Sequence, residues 1–215
     1  MAPTLWTLSG SPYAWRVWLA LEHKRLPHEL KFLSYDAGDF KGAALAALNP
    51  RRRVPVLVEE DGTALYESAA IVEYLEDLHP APPLFAADPR ERAVQRRMIR
   101  EADQYVATEL EHLVEAVIFT PPPQRDPARV AACWEALRRE VALWEELMRG
   151  PFLAGAALCA ADHALFPELA LARRIAERTP DLIATPLAGP RVAGWMARMD
   201  ALDEVRKTWP PHWKG

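Results

Sequence analysis

The chain has 215 residues, half of them hydrophobic and 26% charged, a globular balance that argues against disorder, collagen-like repeats and other low-complexity classes. Its 26 basic and 30 acidic residues divide as 8 against 11 up to residue 80 and 18 against 19 beyond it, so neither part has the basic excess that nucleic-acid binding demands. Two cysteines without C-x-x-C or zinc spacing oppose a disulfide scaffold or structural metal and point to a reducing, cytoplasmic setting, while the absence of a leader pattern or a long apolar run opposes secretion and membrane spanning.

In chain order, residues 4–8 predict a strand, and Ser11-Pro12 opens a helix that runs to about residue 24. A second strand is predicted at 28–34 and an alanine-rich turn or helix at 40–48. Residues 54–59 and 64–67 flank Glu60-Asp61-Gly62-Thr63 as a hairpin. Ser68 then caps a helix to about residue 78, with Ala69, Ile71, Val72 and Leu75 facing inward. The order is β-α-β-α-β-β-α. Prolines cluster from Pro80 to Pro89 as a linker, and beyond it helical periodicity dominates at 90–119, 128–149, 161–178 and 191–202. The predicted organisation is α/β followed by all-α: a domain at 1–80, a linker at 81–89 and a helical bundle at 90–215.

Several residues have the chemistry of a site. Ser11 before Pro12 places a hydroxyl just after a strand and at the positive end of a helix, which suits an anion and equally suits a plain helix cap. Ser9 competes with it, next to flexible Gly10. Glu67-Ser68, where the last strand enters a helix, pairs a carboxylate with a hydroxyl and free N–H groups, a combination that can hold an ammonium and a carboxylate on one carbon. Arg51-Arg52-Arg53 is too short for a nucleic-acid tract. Glu76-x-x-His79 and Glu109-x-x-His112 match di-iron spacing, but the first 75 residues read α/β and His79 ends a helix, so no metal is expected. Of eight tryptophans, Trp209 and Trp213 in the tail suit either packing or an apolar pocket wall.

Taken together, the segments Ser11-Pro12-Tyr13-Ala14-Trp15-Arg16-Val17, Asn49-Pro50-Arg51-Arg52-Arg53-Val54-Pro55-Val56-Leu57 and Glu67-Ser68-Ala69-Ala70-Ile71-Val72-Glu73-Tyr74-Leu75 resemble the cytosolic glutathione transferases. The first is most similar to the serine-type tau and zeta classes. The resemblance spans essentially the whole chain. It implies a thioredoxin-like first domain that binds glutathione, a helical domain that adds a pocket for an apolar electrophile, and a homodimer.

By residue, it implies Ser11, with Ser9 as the alternative, beside the ligand's sulfur, where a hydrogen bond and the helix end lower a thiol pKa from about 8.5. Val54 would pair through its backbone with the ligand's cysteine, ahead of a cis bond to Pro55, while Glu67 and Ser68 take the γ-glutamyl group. Arg53 and Lys41 would touch glutathione as well, Lys41 at the glycyl carboxylate. The apolar half of the site would come from residues 98–105 and the tail. Two departures stand out. Cys159 replaces the usual Ser or Thr three residues before Asp162, weakening a capping box, and no cysteine stands at Ser11 to support mixed-disulfide chemistry. The alternatives are a zeta-like isomerase using glutathione as cofactor and an interaction protein that kept the fold without turnover.

Overall fold

A computed structural model describes residues 2–213, which divide into two compact units: residues up to Phe85 together with those from Leu202 onward, and Ala86–Ala201. In the first unit β1 (Thr4–Thr7) buries Leu5 and Thr7 and leaves Thr4 and Trp6 half-exposed, the alternation of a strand with two different faces. It lies parallel to β2 (Glu29–Phe32) and antiparallel to β3 (Val56–Val58), which pairs in turn with β4 (Ala64–Tyr66), giving the order β2-β1-β3-β4. The second strand is shorter than predicted because its four-residue partner is exhausted; the ladder ends with the Leu33 N–H donating to Thr7 at 2.8 Å.

Leu5 and Leu57 are paired and fully buried, and two mutually packed helices, α1 (Pro12–His23) and α3 (Ser68–Leu78), bury Val17, Leu21, Ile71, Val72 and Leu75. Each such side chain contributes about 1.5–3 kcal/mol, so these helices rather than the few ladder bonds hold the short strands in place. Val56 on the other face packs with Leu33 and Leu45, the latter from α2 (Ala43–Leu48), and with half-buried Trp6 and Phe40.

The proline-rich stretch is not a loose connector at its start. The buried Lys24 ammonium donates to Glu76 (2.6 Å) and to the carbonyls of His79 (2.6 Å) and Pro82 (3.0 Å), while Glu76 accepts the N–H groups of Leu84 and Phe85. The Ala81–Pro82 bond is cis.

The predicted 90–215 segment also differs at its end. Helix α9 (Asp203–Thr208) and a 3₁₀ turn at Pro211–Trp213 pack with the first unit. The Trp15 indole N–H donates to Thr208 (2.8 Å), and its ring meets Trp209 and Trp213 edge-on at 5.4 and 5.6 Å. Nothing local in the sequence distinguishes this long-range packing from packing in the bundle.

The second unit is helical throughout: α4 (Pro89–Glu101), α5 (Ala107–Val117), α6 (Pro127–Leu147), α7 (Ala160–Arg178) and α8 (Pro190–Asp200). The predicted 90–119 helix is interrupted by a π-helical turn at Ala102–Val106. α7 is the central element, buried continuously from Ala160 to Ala170. That burial offsets the roughly 3 kcal/mol cost of Pro167 inside the helix, where a proline read from sequence would mark a seam.

Candidate functional site

The turn between β1 and α1 is closed by the Ser11 N–H donating to Leu8 (3.0 Å), with Gly10 at φ +82°. Ser11 is the N-cap of α1 and Pro12 its first residue, as the Ser-Pro signature dictates. Its hydroxyl accepts the Ala14 N–H at 3.4 Å, a long bond, and among the described residues it donates to no protein acceptor. Ser9 is placed differently: its Oγ lies 2.6 Å from Nδ1 of His212. Of the two candidate serines, one is tied to the tail and the other faces the helix end.

At the start of α3 the N-cap is Glu67 and not Ser68, which is instead the first helical residue. Glu67 holds φ +72°, a conformation costly for a residue with a Cβ, and its side chain is exposed and makes no capping bond. Ser68 is buried, and its Oγ accepts from Nη1 of Arg16 at 3.3 Å. Arg16 is 1% exposed and its guanidinium lies 5.5 Å from the Tyr13 ring centre. A buried guanidinium thus stands behind the Ser68 hydroxyl. Sequence reasoning did not assign Arg16 a role, although one cation inside the apolar run Ala14-Trp15-Arg16-Val17-Trp18-Leu19 was the available signal.

Asn49 was likewise missed. It is 2% exposed; its Oδ1 accepts the Arg51 N–H (3.0 Å) and its Nδ2 donates to the Arg53 carbonyl (2.9 Å), which shapes the arginine loop from inside. Nη1 of Arg52 donates to the Lys41 carbonyl (3.2 Å), joining that loop to the 3₁₀ turn Asp39–Lys41. The Lys41 and Arg53 side chains are both exposed. Val54 precedes buried Pro55 through a cis bond and lies two residues before β3, so its backbone is outside the sheet ladder. Ser11 and Ser68 therefore start two helices that pack together, with Arg16 reaching from one to the other.

In the helical unit, Asp162 is fully buried and accepts the N–H groups of Leu153 (2.9 Å) and Cys159 (2.9 Å) and the indole N–H of Trp195 (2.8 Å). The Cys159 thiol donates to its Oδ2 at 3.2 Å; burial, and then the neighbouring carboxylate, push that thiol far above its ordinary pKa, which keeps the proton in place. Cys159 thus completes a helix start that the sequence marked as weakened. Of residues 98–105, Met98, Ile99 and Ala102 are buried and Tyr105 is 52% exposed. Glu76 is engaged by Lys24, and His112 Nδ1 lies 3.3 Å from Glu109 on the surface.

Residues 10–78 match the family model of the glutathione S-transferase N-terminal domain. Glutathione S-transferase GstB of Escherichia coli is 30% identical over 166 residues, covering 76% of this chain and 80% of that protein. The chain belongs to the glutathione S-transferase family. A glutathione S-transferase structure from the Antarctic clam Laternula elliptica superposes with a TM-score of 0.83 at 28% identity, over all of this chain and 94% of that one. A maleylacetoacetate isomerase from Pseudomonas aeruginosa is 39% identical over 94 residues, 43% of this transferase-family chain and 44% of the isomerase. Among the described residues, no helix is long and apolar enough to cross a membrane.

Proposed function

We propose that this protein activates the thiol of glutathione at Ser11 and joins it to a small apolar electrophile. The observation that carries the reading is the Ser11 hydroxyl, poised at the start of α1 without a protein acceptor among the described residues, while Ser9 is held by His212. A sulfur at that point would receive the hydroxyl's hydrogen bond and the favourable end of the helix dipole, and a two-unit fall in thiol pKa corresponds to about 2.7 kcal/mol. The γ-glutamyl carboxylate would take Ser68 and the first N–H groups of α3, its ammonium the exposed Glu67 carboxylate, and its cysteinyl backbone that of Val54. Arg53 would touch glutathione as well, and Lys41 would be the cation for the glycyl carboxylate.

In the reaction the thiol proton leaves to solvent and the sulfur lone pair forms a bond to an electrophilic carbon; in a substitution the carbon's leaving group departs with its bonding pair, and in an addition the π pair moves to the neighbouring atom, which takes a proton from solvent. Ionisation and proximity supply the catalysis. The active protein is proposed to be a homodimer, to be checked by sedimentation, in a reducing, cytoplasmic setting, to be checked by cell fractionation. The test of the site is the thiolate absorbance of the glutathione complex against pH. Ser11→Ala should raise the bound thiol pKa toward its free value and lower kcat/KM at neutral pH about ten- to a hundredfold, one to two pKa units. An unchanged titration overturns the assignment.

A second reading is favoured by the identity with maleylacetoacetate isomerase: glutathione would add to a conjugated substrate and leave again. Measuring glutathione consumed per product separates the two, since conjugation uses one glutathione per turnover and isomerisation none.

A further inference from the structure

We infer that His212 is a positioning residue for the Ser11 chemistry, acting through Ser9. The inference rests on the reading of Ser11 given above. Ser9 Oγ and His212 Nδ1 are 2.6 Å apart and 203 positions apart in the chain, and they flank the turn whose last residue is Ser11. The same 3₁₀ turn covers Gly10, where an added Cβ would fall 2.9 Å from Cε1 of His212 and 3.2 Å from Nε1 of Trp213. Only glycine allows both the positive φ and this approach. On the other side of Ser11, the Trp15 N–H donates to the Ser11 carbonyl (2.9 Å), and the Trp15 side chain is held by Thr208, Trp209 and Trp213.

Residues on both sides of Ser11 are therefore gripped by residues 208–213, and among the described residues the Ser11 hydroxyl has only its long bond to Ala14. The direction of its hydroxyl is inherited from the turn. The ring contacts of Trp209 and Trp213 are apolar and tolerate small rotations, and the Trp15–Thr208 bond anchors α1 beyond Ser11, whereas the short hydrogen bond at Ser9 holds the turn itself in one orientation. Losing it would let the Ser11 oxygen drift from the sulfur without unfolding the unit.

The variants to compare in the full chain are Ser9→Ala, His212→Phe, their double, His212→Asn and Ser11→Ala. His212→Phe keeps a ring over Gly10 and removes the nitrogen, while His212→Asn keeps a hydrogen-bonding atom near the place of Nδ1. Turnover is measured with glutathione and 1-chloro-2,4-dinitrobenzene, alongside bound-thiolate titration and thermal melting. Ser9→Ala and His212→Phe should each lower kcat about tenfold and raise the bound thiol pKa, with KM for glutathione within about twofold and melting unchanged. The double variant should be no worse than either single one, and His212→Asn should recover to within about threefold of the parent. Parental kcat in His212→Phe, equal loss in His212→Asn, or a loss that tracks the melting temperature overturns the proposal. If Ser11→Ala leaves the titration unmoved, the fault lies with the Ser11 reading; if Ser11→Ala moves it and His212→Phe does not, only the role of His212 falls.

Discussion

In the helical unit, carboxylates occupy the starts of the long helices. Asp88 accepts the N–H groups of Arg90 and Glu91 at α4, Asp126 that of Ala128 at α6, and Asp162 that of Cys159 at α7. At α8 Glu145 reaches across from α6 to the N–H groups of Arg191 and Val192. In the other unit, α1 and α3 have no acidic side chain in their first turns; Ser11 offers α1 a long hydroxyl contact and Glu67 offers α3 no capping bond. The helix ends carry the same partial positive charge in both units. One unit neutralises it with its own carboxylates and gains stability; the other leaves it open at α1 and α3, where the proposed site would bring a ligand's charge.

This contrast can be broken from either side. The largest effect is expected at Asp162→Ala, which strands two backbone N–H groups and an indole N–H in the interior; urea unfolding should show a loss of about 3–5 kcal/mol. A loss below about 1 kcal/mol would mean that the α7 start does not depend on its carboxylate. Ser68→Ala should differ in kind. Calorimetry should show glutathione binding weakened by about 1–3 kcal/mol, while the unfolding free energy falls by about 1–2 kcal/mol, less than in Asp162→Ala, because one 3.3 Å bond from the buried Arg16 guanidinium is lost.

Ser11→Ala should cost only about 0.5 kcal/mol of unfolding free energy, the low end for an N-cap, since its bond to Ala14 is long. A loss near 2 kcal/mol would make Ser11 a structural cap of the Asp126 kind. The smallest effect is expected at Cys159→Ser, a gain of a few tenths of a kcal/mol from a better cap. In the unmodified protein a disulfide reagent should label half-buried Cys133 well before Cys159, whose protonated thiol is buried against Asp162.

The order of elements was legible because its signals are local. Ser-Pro announces α1, and the Glu-Asp-Gly-Thr turn announces the β3–β4 hairpin. What escaped depends on distance or on small geometric differences. The π turn at Ala102–Val106 shifts the helical period for too few residues to alter the apolar pattern. Glu67 looks like an ordinary strand end because nothing in a glutamate announces a positive φ, so Ser68 was read as the cap. Asn49 and Arg16 act from the interior on loops and helices that sequence reading treats separately. The tail's attachment to Trp15 joins positions nearly 200 residues apart, beyond any periodicity.

That attachment also has a consequence in time. Residues 203–213 leave the ribosome only after the whole of Ala86–Ala201 has been made, an interval of about ten seconds at roughly 5–20 residues per second. Until then the Trp15 indole lacks the cover that buries it in the finished protein, and the Gly10 turn lacks the His212 and Trp213 side chains that pack on it. The nascent first unit therefore waits with an aromatic surface open while its neighbour is synthesised, and a ribosome stalled before residue 203 releases a chain in which the turn ahead of Ser11 has never met the residues that pack on it.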